Sequence, residues 1–444
     1  MSIFANLNRQ QKEAVGLLSI GTFLEYFDLM LYVHMAVLLN ELFFPKTDPF
    51  TASLLAAFSF CSTYLLRPFG ALVFGYIGDN IGRKQTVVIT TFIMSISCII
   101  MANLPTYAQI GISAAWVVTL CRILQGMCSM GEATGAELYL TEMLSPPLRY
   151  PVVACIVIFA TIGTTSALGI ASFILSNDIS WRVVFWIGAV VAFIGTLART
   201  TLRETPEFAD AKRRLKRIVE SSHNEPKQLE NSPIWKEKVN KKTALSLFLI
   251  QCMWPAAMYL SYIHCGNIAK ALFDFSPEQV INQNFFVSSM QLVTYIGTAY
   301  VSYRIHPLSI LKVKLVMFAC FVLVSPFLLY SISSPFQLML FQIYIVTFVP
   351  TDFPAASVFY KHFPVFKRFT FSCLMYALSR ATMSIITSIG LVYFIDRFGN
   401  WGVLLIMLPV VFGYRFGLVH FETLEQAVGN YRAGLSGRGI FVYN

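Results

Sequence analysis

Apolar stretches of about 20 residues or more recur about twelve times along the chain. They fall at 15–39, 51–77, 85–104, 108–135, 150–176 and 181–200, then at 244–272, 283–303, 309–331, 336–360, 370–395 and 401–421. A helix needs about 20 residues to cross roughly 30 Å of hydrocarbon, and in lipid each backbone polar group must be bonded within its own structure. The pattern predicts an all-α integral membrane protein with twelve transmembrane helices in two six-helix halves. Composition agrees: 13% of the residues are charged, against about 25% in soluble domains.

Between the two sets lies 201–243, TLRETPEFADAKRRLKRIVESSHNEPKQLENSPIWKEKVNKKT, far more charged than its surroundings. The expected organisation is an N-terminal half at 1–200, a linker at 201–243, a C-terminal half at 244–421 and a tail at 422–444. The surplus of Lys and Arg places the linker, both termini and the tail in the cytoplasm of a multi-pass plasma-membrane protein. With that orientation the even-numbered loops hold Arg83, Lys84, Arg149, Arg304, Lys312, Lys314, Lys361, Lys367 and Arg368, whereas the odd-numbered ones hold little beyond Lys46, Lys270 and Arg397. The net charge of +10 is therefore an orientation signal towards the lipid bilayer, and nucleic acid is excluded as a partner. The run KRRLKR (212–217) reads as a solvated orientation signal near anionic headgroups, ahead of a docking motif.

The nine cysteines lie mostly singly in apolar runs and the six histidines are dispersed. No disulfide framework, metal site or cofactor site is readable. No nucleophile and base pair is readable either, which argues against a membrane enzyme. The polar N-terminus MSIFANLNRQQKEAV has no short apolar core followed by a small-residue cleavage site, so the first span is expected to be retained.

The loop GYIGDNIGRK (75–84) packs three glycines, an acid and two bases between spans two and three. Glycine permits close helix approach, and Asp79 can accept from Arg83 or from a helix N-terminus. The spacing resembles the major facilitator superfamily signature: glycine, three residues, aspartate, base, any residue, glycine, arginine, base. Asn80 stands where a base is usual. FFPKTDPF (43–50), LLRPFGALVFGYIGDNIGRK (65–84), RILQGMCSMGEATGA (122–136), LEYFDLMLY (24–32), WRVVFW (181–186) and LRETPEF (202–208) are similar to the metabolite:proton symporter branch, particularly its proline and glycine-betaine osmolyte carriers. This resemblance covers the first half. In the second, Tyr303 occupies the aspartate position of the repeated loop and Lys361 replaces the acid expected before FP. The resemblance implies a cytoplasmic latch formed by Gly75, Asp79, Gly82, Arg83, Lys84 and Glu142. It also places Arg122, Gln125, Gly126 and Glu132 in a motif associated with proton coupling.

Charges inside the spans bear on mechanism, because ionisable residues at membrane depth normally face a protein-lined cavity. Glu25 and Asp28 are three apart and share a helix face with Tyr32. Counting about 1.5 Å per residue puts them near the midplane, with Arg67, Arg122, Asp352 and Arg380 at comparable depth. Three acids and three arginines are neutral together, so one added proton leaves a positive charge that favours admitting a carboxylate. Asp28 is the first candidate for the titrating group and Glu25 the second; static ion pairs are the alternative. Asp352 and Arg380 are expected to pair. Glu132, Glu137 and Glu142 lie towards the cytoplasmic end of span four, where latching is favoured over solute contact. Trp254, Met258, Ser261 and Tyr262 in span seven read as helix packing ahead of cavity lining, and His34 and His264 as unrelated interfacial residues.

The sequence thus points to a monomeric, proton-coupled symporter that imports a small carboxylate-bearing or zwitterionic solute by alternating access, with protons as coupling ion and no cofactor. A proline or betaine osmolyte symporter is the narrower alternative. A non-transporting nutrient sensor on the same scaffold is the alternative of another class.

Overall fold

The computed structural model describes residues 7–43, 64, 66–176, 180, 182–200, 202, 204–221 and 237–431. The first group of helices is α1 (Arg9–Phe43), α2 (Arg67–Asn80), α3 (Arg83–Asn103), α4 (Ile112–Met143), α5 (Arg149–Ser176) and α6 (Arg182–Arg199). A connecting helix, α7 (Pro206–Ser221), follows. The second group begins with α8 (Lys241–Phe273), α9 (Pro277–Ser302), α10 (Pro307–Ser331) and α11 (Pro335–Phe348). It ends with the short α12 (Ala356–Lys361), α13 (Val365–Ile385) and α14 (Gly402–Val428). Among the described residues, six helical stretches, including Arg83–Asn103, Lys241–Phe273 and Pro307–Ser331, are long and apolar enough to cross a membrane. No strand occurs among the described residues.

Local chemistry sets the helix ends. Ser276 accepts the Gln279 N–H and Gln279 accepts the Ser276 N–H, a reciprocal cap with Pro277 at the first turn. Ser334 caps α11 ahead of Pro335 by accepting the Gln337 N–H at 3.3 Å, while the Gln337 side chain accepts from the Ser333 N–H at 2.8 Å. Exposed apolar side chains such as Trp116, Phe327 and Phe412 point outward, as a lipid-facing surface requires.

Two features differ from the sequence reading. The span expected at 336–360 is broken: α11 stops at Phe348 and helix resumes only at Ala356. Pro350 and Pro354 lack an N–H and disfavour helical geometry in the residue before them. The Tyr414 hydroxyl satisfies one exposed carbonyl in the break by donating to Thr351 O at 2.6 Å. The charged connection is also not merely a linker, since Pro206–Ser221 is helical and buries Phe208 at 1% exposure.

The halves meet along two helix pairs, α2 against α13 and α5 against α9. If the second group repeats the first in order, α2 corresponds to α9 and α5 to α13, so one contact is the symmetry mate of the other. Close approach at the α2 seam depends on glycine. A β-carbon on Gly75 would sit 2.7 Å from Thr370 Cα. Within the first half, Gly163 lets α5 lie directly on the backbone of α1 at Phe23.

Candidate functional site

A cavity of about 320 Å³ lies between the halves. Thr22, Tyr26 and Met30 of α1 line it at helical spacing, together with Glu137 of α4, residues of α5, and Trp254, Met258 and Tyr262 of α8. The broken segment contributes Thr351, Asp352 and Phe353, and α13 contributes Tyr376 and Arg380. The α8 face is therefore cavity wall, and the packing reading of Trp254, Met258 and Tyr262 is corrected. Only Ser261 of that set turns away; it is fully buried.

Asp352 and Arg380 both reach the cavity but make no direct ion pair. Gln251 stands between them: its amide donates to Asp352 Oδ2 at 2.9 Å, and its backbone carbonyl accepts from Arg380 Nη1 at 2.9 Å. The guanidinium also lies over the Tyr376 ring, 4.3 Å from its centroid, a cation–π contact. The expected pair is thus a bridge of three residues. Counting along helices brought both groups to one level but did not show the side chain between them.

Among the described residues, three further charges expected at similar depth do not line this cavity. Glu25, Arg67 and Arg122 are buried but are not cavity-lining residues. Arg67 lies over the Tyr64 ring at 4.5 Å, and Arg122 donates to Gln125 at 3.0 Å. Depth along a helix fixes height, not azimuth: Tyr26 faces the cavity, so Glu25 is rotated away by about 100°. The side chains of Asp28, Tyr32, His34 and Glu132 lie outside the described residues.

At one end the cavity is shut by the latch. Asp79 accepts the backbone N–H groups of Phe369 and Thr370 at 3.0 and 2.8 Å, across the seam. Arg83, completely buried, donates to Asp79 at 3.2 Å, to both Glu142 oxygens at 3.2 and 3.1 Å, and to Val365 O at 2.6 Å. Glu142 also accepts from Arg368 at 3.1 Å and from the Thr205 hydroxyl at 2.6 Å. Gly82 has φ 155°, and a side chain there would strike the Glu204 carboxylate. Gly75, Asp79, Gly82, Arg83 and Glu142 therefore converge on one structure, while Lys84 makes none of these contacts among the described residues.

The connecting helix completes this closure. Phe208 stacks beneath Arg83 with 4.5 Å between guanidinium and ring, and meets Phe366 edge-on. Glu204 accepts the Arg83 backbone N–H at 3.1 Å. Glu207 pairs with Arg368 at 2.8 Å and with Lys361. These roles escaped the sequence reading because LRETPEF marked a resemblance without showing where the segment docks. Glu137 was seen but assigned to the latch end. Instead its Oε2 accepts from the Tyr360 hydroxyl at 2.8 Å while the residue lines the cavity.

Comparison with known proteins agrees with this geometry. The sequence profile of the Major Facilitator Superfamily matches residues 18–385. The inner membrane metabolite transport protein YhjE of Escherichia coli is 37% identical over 224 residues, 48% of this chain and 51% of that protein. The proline/betaine transporter of Salmonella typhimurium is 34% identical over 206 residues, 44% of this chain and 41% of that protein. A citrate-proton symporter of Salmonella typhi is 32% identical over 202 residues, 44% of this chain and 46% of that protein. The chain matches about half the length of these curated relatives. Among solved structures, the proton:xylose symporter XylE bound to 6-bromo-6-deoxy-D-glucose superposes with a TM-score of 0.73 over 95% of this chain and 96% of that one, at 13% identity, which is a likeness of fold. With the profile spanning most of the chain and the two-halved helical fold in place, this multi-pass membrane protein belongs to the major facilitator superfamily, a family of transporters and not of enzymes.

Proposed function

We propose that the chain imports a small carboxylate-bearing or zwitterionic solute together with protons, by alternating access of its two halves, as a monomer in the plasma membrane with both termini cytoplasmic. The observation that carries this reading is Arg380, a buried guanidinium on the wall of an inter-half cavity that also holds Asp352 and Glu137. A guanidinium in such a place recognises a carboxylate through its planar donors. The basic loops put the latch end in the cytoplasm, so the described state is closed towards the cytoplasm. The names of two relatives, a proline/betaine transporter and a citrate-proton symporter, support solutes bearing a carboxylate. Protons serve as the coupling ion without any cofactor, and Asp28, Glu25 and Glu132 are coupling candidates from the sequence.

A specific observation favours the narrower reading of a betaine- or proline-type solute. Trp254, Tyr262 and Tyr295 line the same cavity as Arg380, and aromatic faces attract a desolvated quaternary or secondary ammonium. One experiment tests both readings: uptake by reconstituted proteoliposomes of labelled mono- and dicarboxylates, proline and glycine betaine, with and without an imposed pH gradient. Accumulation of one class, abolished on collapsing the gradient, is the expected result. Accumulation that ignores the gradient removes proton coupling, and no uptake of any tested solute by folded protein removes the proposed solute class. If Asp28 were the coupling group, Asp28→Asn would abolish gradient-driven accumulation while leaving solute exchange.

A further inference from the structure

We infer that Glu137 is the group that holds the transported proton while the latch is closed, and that Tyr360 ties its occupancy to the gate. The inference deepens the proton-coupled reading above and rests on it for the word transported.

Glu137 sits on α4 of the first half, 7% exposed, with its carboxylate at the cavity wall. Its one hydrogen-bond partner among the described side chains comes from the opposite half: the Tyr360 hydroxyl of α12, fully buried, donates at 2.8 Å. The charged and titratable groups facing it can be named element by element. Asp352 comes from the broken segment, Arg380, Tyr376 and Cys373 from α13, Tyr262 from α8, Tyr295 from α9, Tyr26 from α1 and Tyr64 from just before α2, while the Asp28 side chain lies outside the described residues. Two acids thus share the described cavity with one arginine.

That arginine is already engaged. Arg380 donates to the Gln251 carbonyl, stacks on Tyr376, and is linked to Asp352 through the same Gln251. Among the described residues no cation lies within ion-pair distance of Glu137. A buried carboxylate supported by one neutral hydroxyl lacks the donors that ionisation needs, and such a group takes up a proton. With the proton on Glu137, Asp352 and Arg380 cancel and the described cavity is neutral. Oε2 can still accept from Tyr360, and the new O–H faces the cavity.

The contact also sits where gating must break it. Tyr360 lies on the short helix directly after the interrupted span and belongs to the half that parts from α4 when the latch opens. Separation removes the Tyr360 donor and admits cytoplasmic water to Glu137, whose carboxylate is then solvated and ionises. One O–H bond breaks and one proton passes to water; no other reactant is needed. The solute and the proton thereby leave on the same opening.

The test is infrared difference spectroscopy of the full chain in lipid, titrated through neutral pH in H₂O and D₂O without any solute. A protonated carboxyl C=O band that ionises as pH rises is expected in the wild type. It should vanish in Glu137→Gln, move in Glu137→Asp, and shift in Tyr360→Phe, which removes one hydrogen bond; it should persist in Asp28→Asn, Glu132→Gln and Asp352→Asn. Persistence in folded Glu137→Gln overturns the inference, as does loss in Asp28→Asn alone or the lack of any such band in folded wild type. Should Glu137→Gln not fold, an unmoved band in Glu137→Asp overturns it equally. Because the measurement uses neither solute nor gradient, a failed uptake screen beside a titrating Glu137 removes the import reading and leaves the proton site standing.

Discussion

Gly78 and Phe369 meet across the seam between the halves so closely that a β-carbon on Gly78 would lie 2.6 Å from the Phe369 ring. Neither partner can give way without moving a helix, since Phe369 is fully buried beneath Asp79 and Arg83. Gly78→Val is therefore expected to prise α2 from α13 and bias the protein towards an open latch, at a cost of roughly 1–3 kcal/mol to the closed state. A cysteine placed at the cavity residue Thr134 should become more reactive from the latch side, and Phe369→Ala should reverse the gain. Unchanged labelling in folded Gly78→Val would show that the contact does not hold the latch shut.

Glu142 stands between Arg83 and Arg368, contributed by different halves. Replacing it with Gln removes the carboxylate that the two buried guanidinium groups share and leaves Arg83 with Asp79 alone and Arg368 with Glu207 alone. Losing one member of a buried charge cluster costs roughly 3–5 kcal/mol, so Glu142→Gln should lower the yield and melting temperature sharply. Adding Arg368→Gln should restore part of that loss. A double variant no more stable than Glu142→Gln alone counts against the shared-charge account.

Glu207 and Lys361 should tolerate exchange. In Glu207→Lys with Lys361→Glu the pairing returns in reverse, although Arg368, which also contacts Glu207, then faces a base across the old contact and an acid at the new one. Each single variant is expected to weaken closure more than the exchange does, read as latch-side labelling of the Thr134 cysteine. Strictly additive effects would mean that the two side chains are not coupled.

Asp352 and Arg380 communicate through Gln251, which gives a double-mutant cycle a definite expectation. The coupling between Asp352→Asn and Arg380→Gln should fall within the range of about 0.5–3 kcal/mol typical of networked residues, and should collapse towards zero when Gln251 is Leu. Coupling that survives Gln251→Leu points to direct charge attraction across the cavity.

His306 supplies a pH test outside the spans. Its Nδ1 accepts the Leu308 N–H at 3.3 Å at the head of α10, and its ring packs against Tyr150 and Tyr431. Burial pushes the imidazole down to about 4, against a smaller opposing pull from Glu425. An unfolded histidine titrates near 6.5, so the unfolded chain binds more protons between about 4 and 6.5. His306 therefore contributes its full stability above about pH 6.5 and loses it as pH falls towards about 4, up to roughly 3 kcal/mol. His306→Asn keeps a capping acceptor without titration and should flatten that part of the melting-temperature profile. Parallel profiles for the two proteins would exclude His306 as its source.

Much of the fold was legible because lipid imposes a length and an apolarity on every span, and those survive as sequence pattern. The latch was legible for a related reason: Gly75, Gly82 and Asp79 are demanded by close approach and cross-seam hydrogen bonds, and their spacing is local. The cavity was less so. Trp254 and Tyr262 looked like packing because a helix facing a protein cavity and one facing another helix carry similar side chains. Gln251 was invisible as a bridge because its partners lie 101 and 129 residues away. Glu137 was displaced to the latch because depth was counted and orientation was not, and its partner Tyr360 follows a break at Pro350 and Pro354 that the apolar length of span ten concealed.

The docked helix at Pro206–Ser221 changes what kind of event latching is. With Phe208 against the first half and Glu207 against the second, the covalent connection is itself part of the clasp, and closure is a ring-forming step within one molecule. Its partners meet at an effective concentration on the order of millimolar or above, so no single contact has to be strong. Many modest contacts that are present together and lost together give a clasp that both holds and releases, as repeated cycling through two shapes requires.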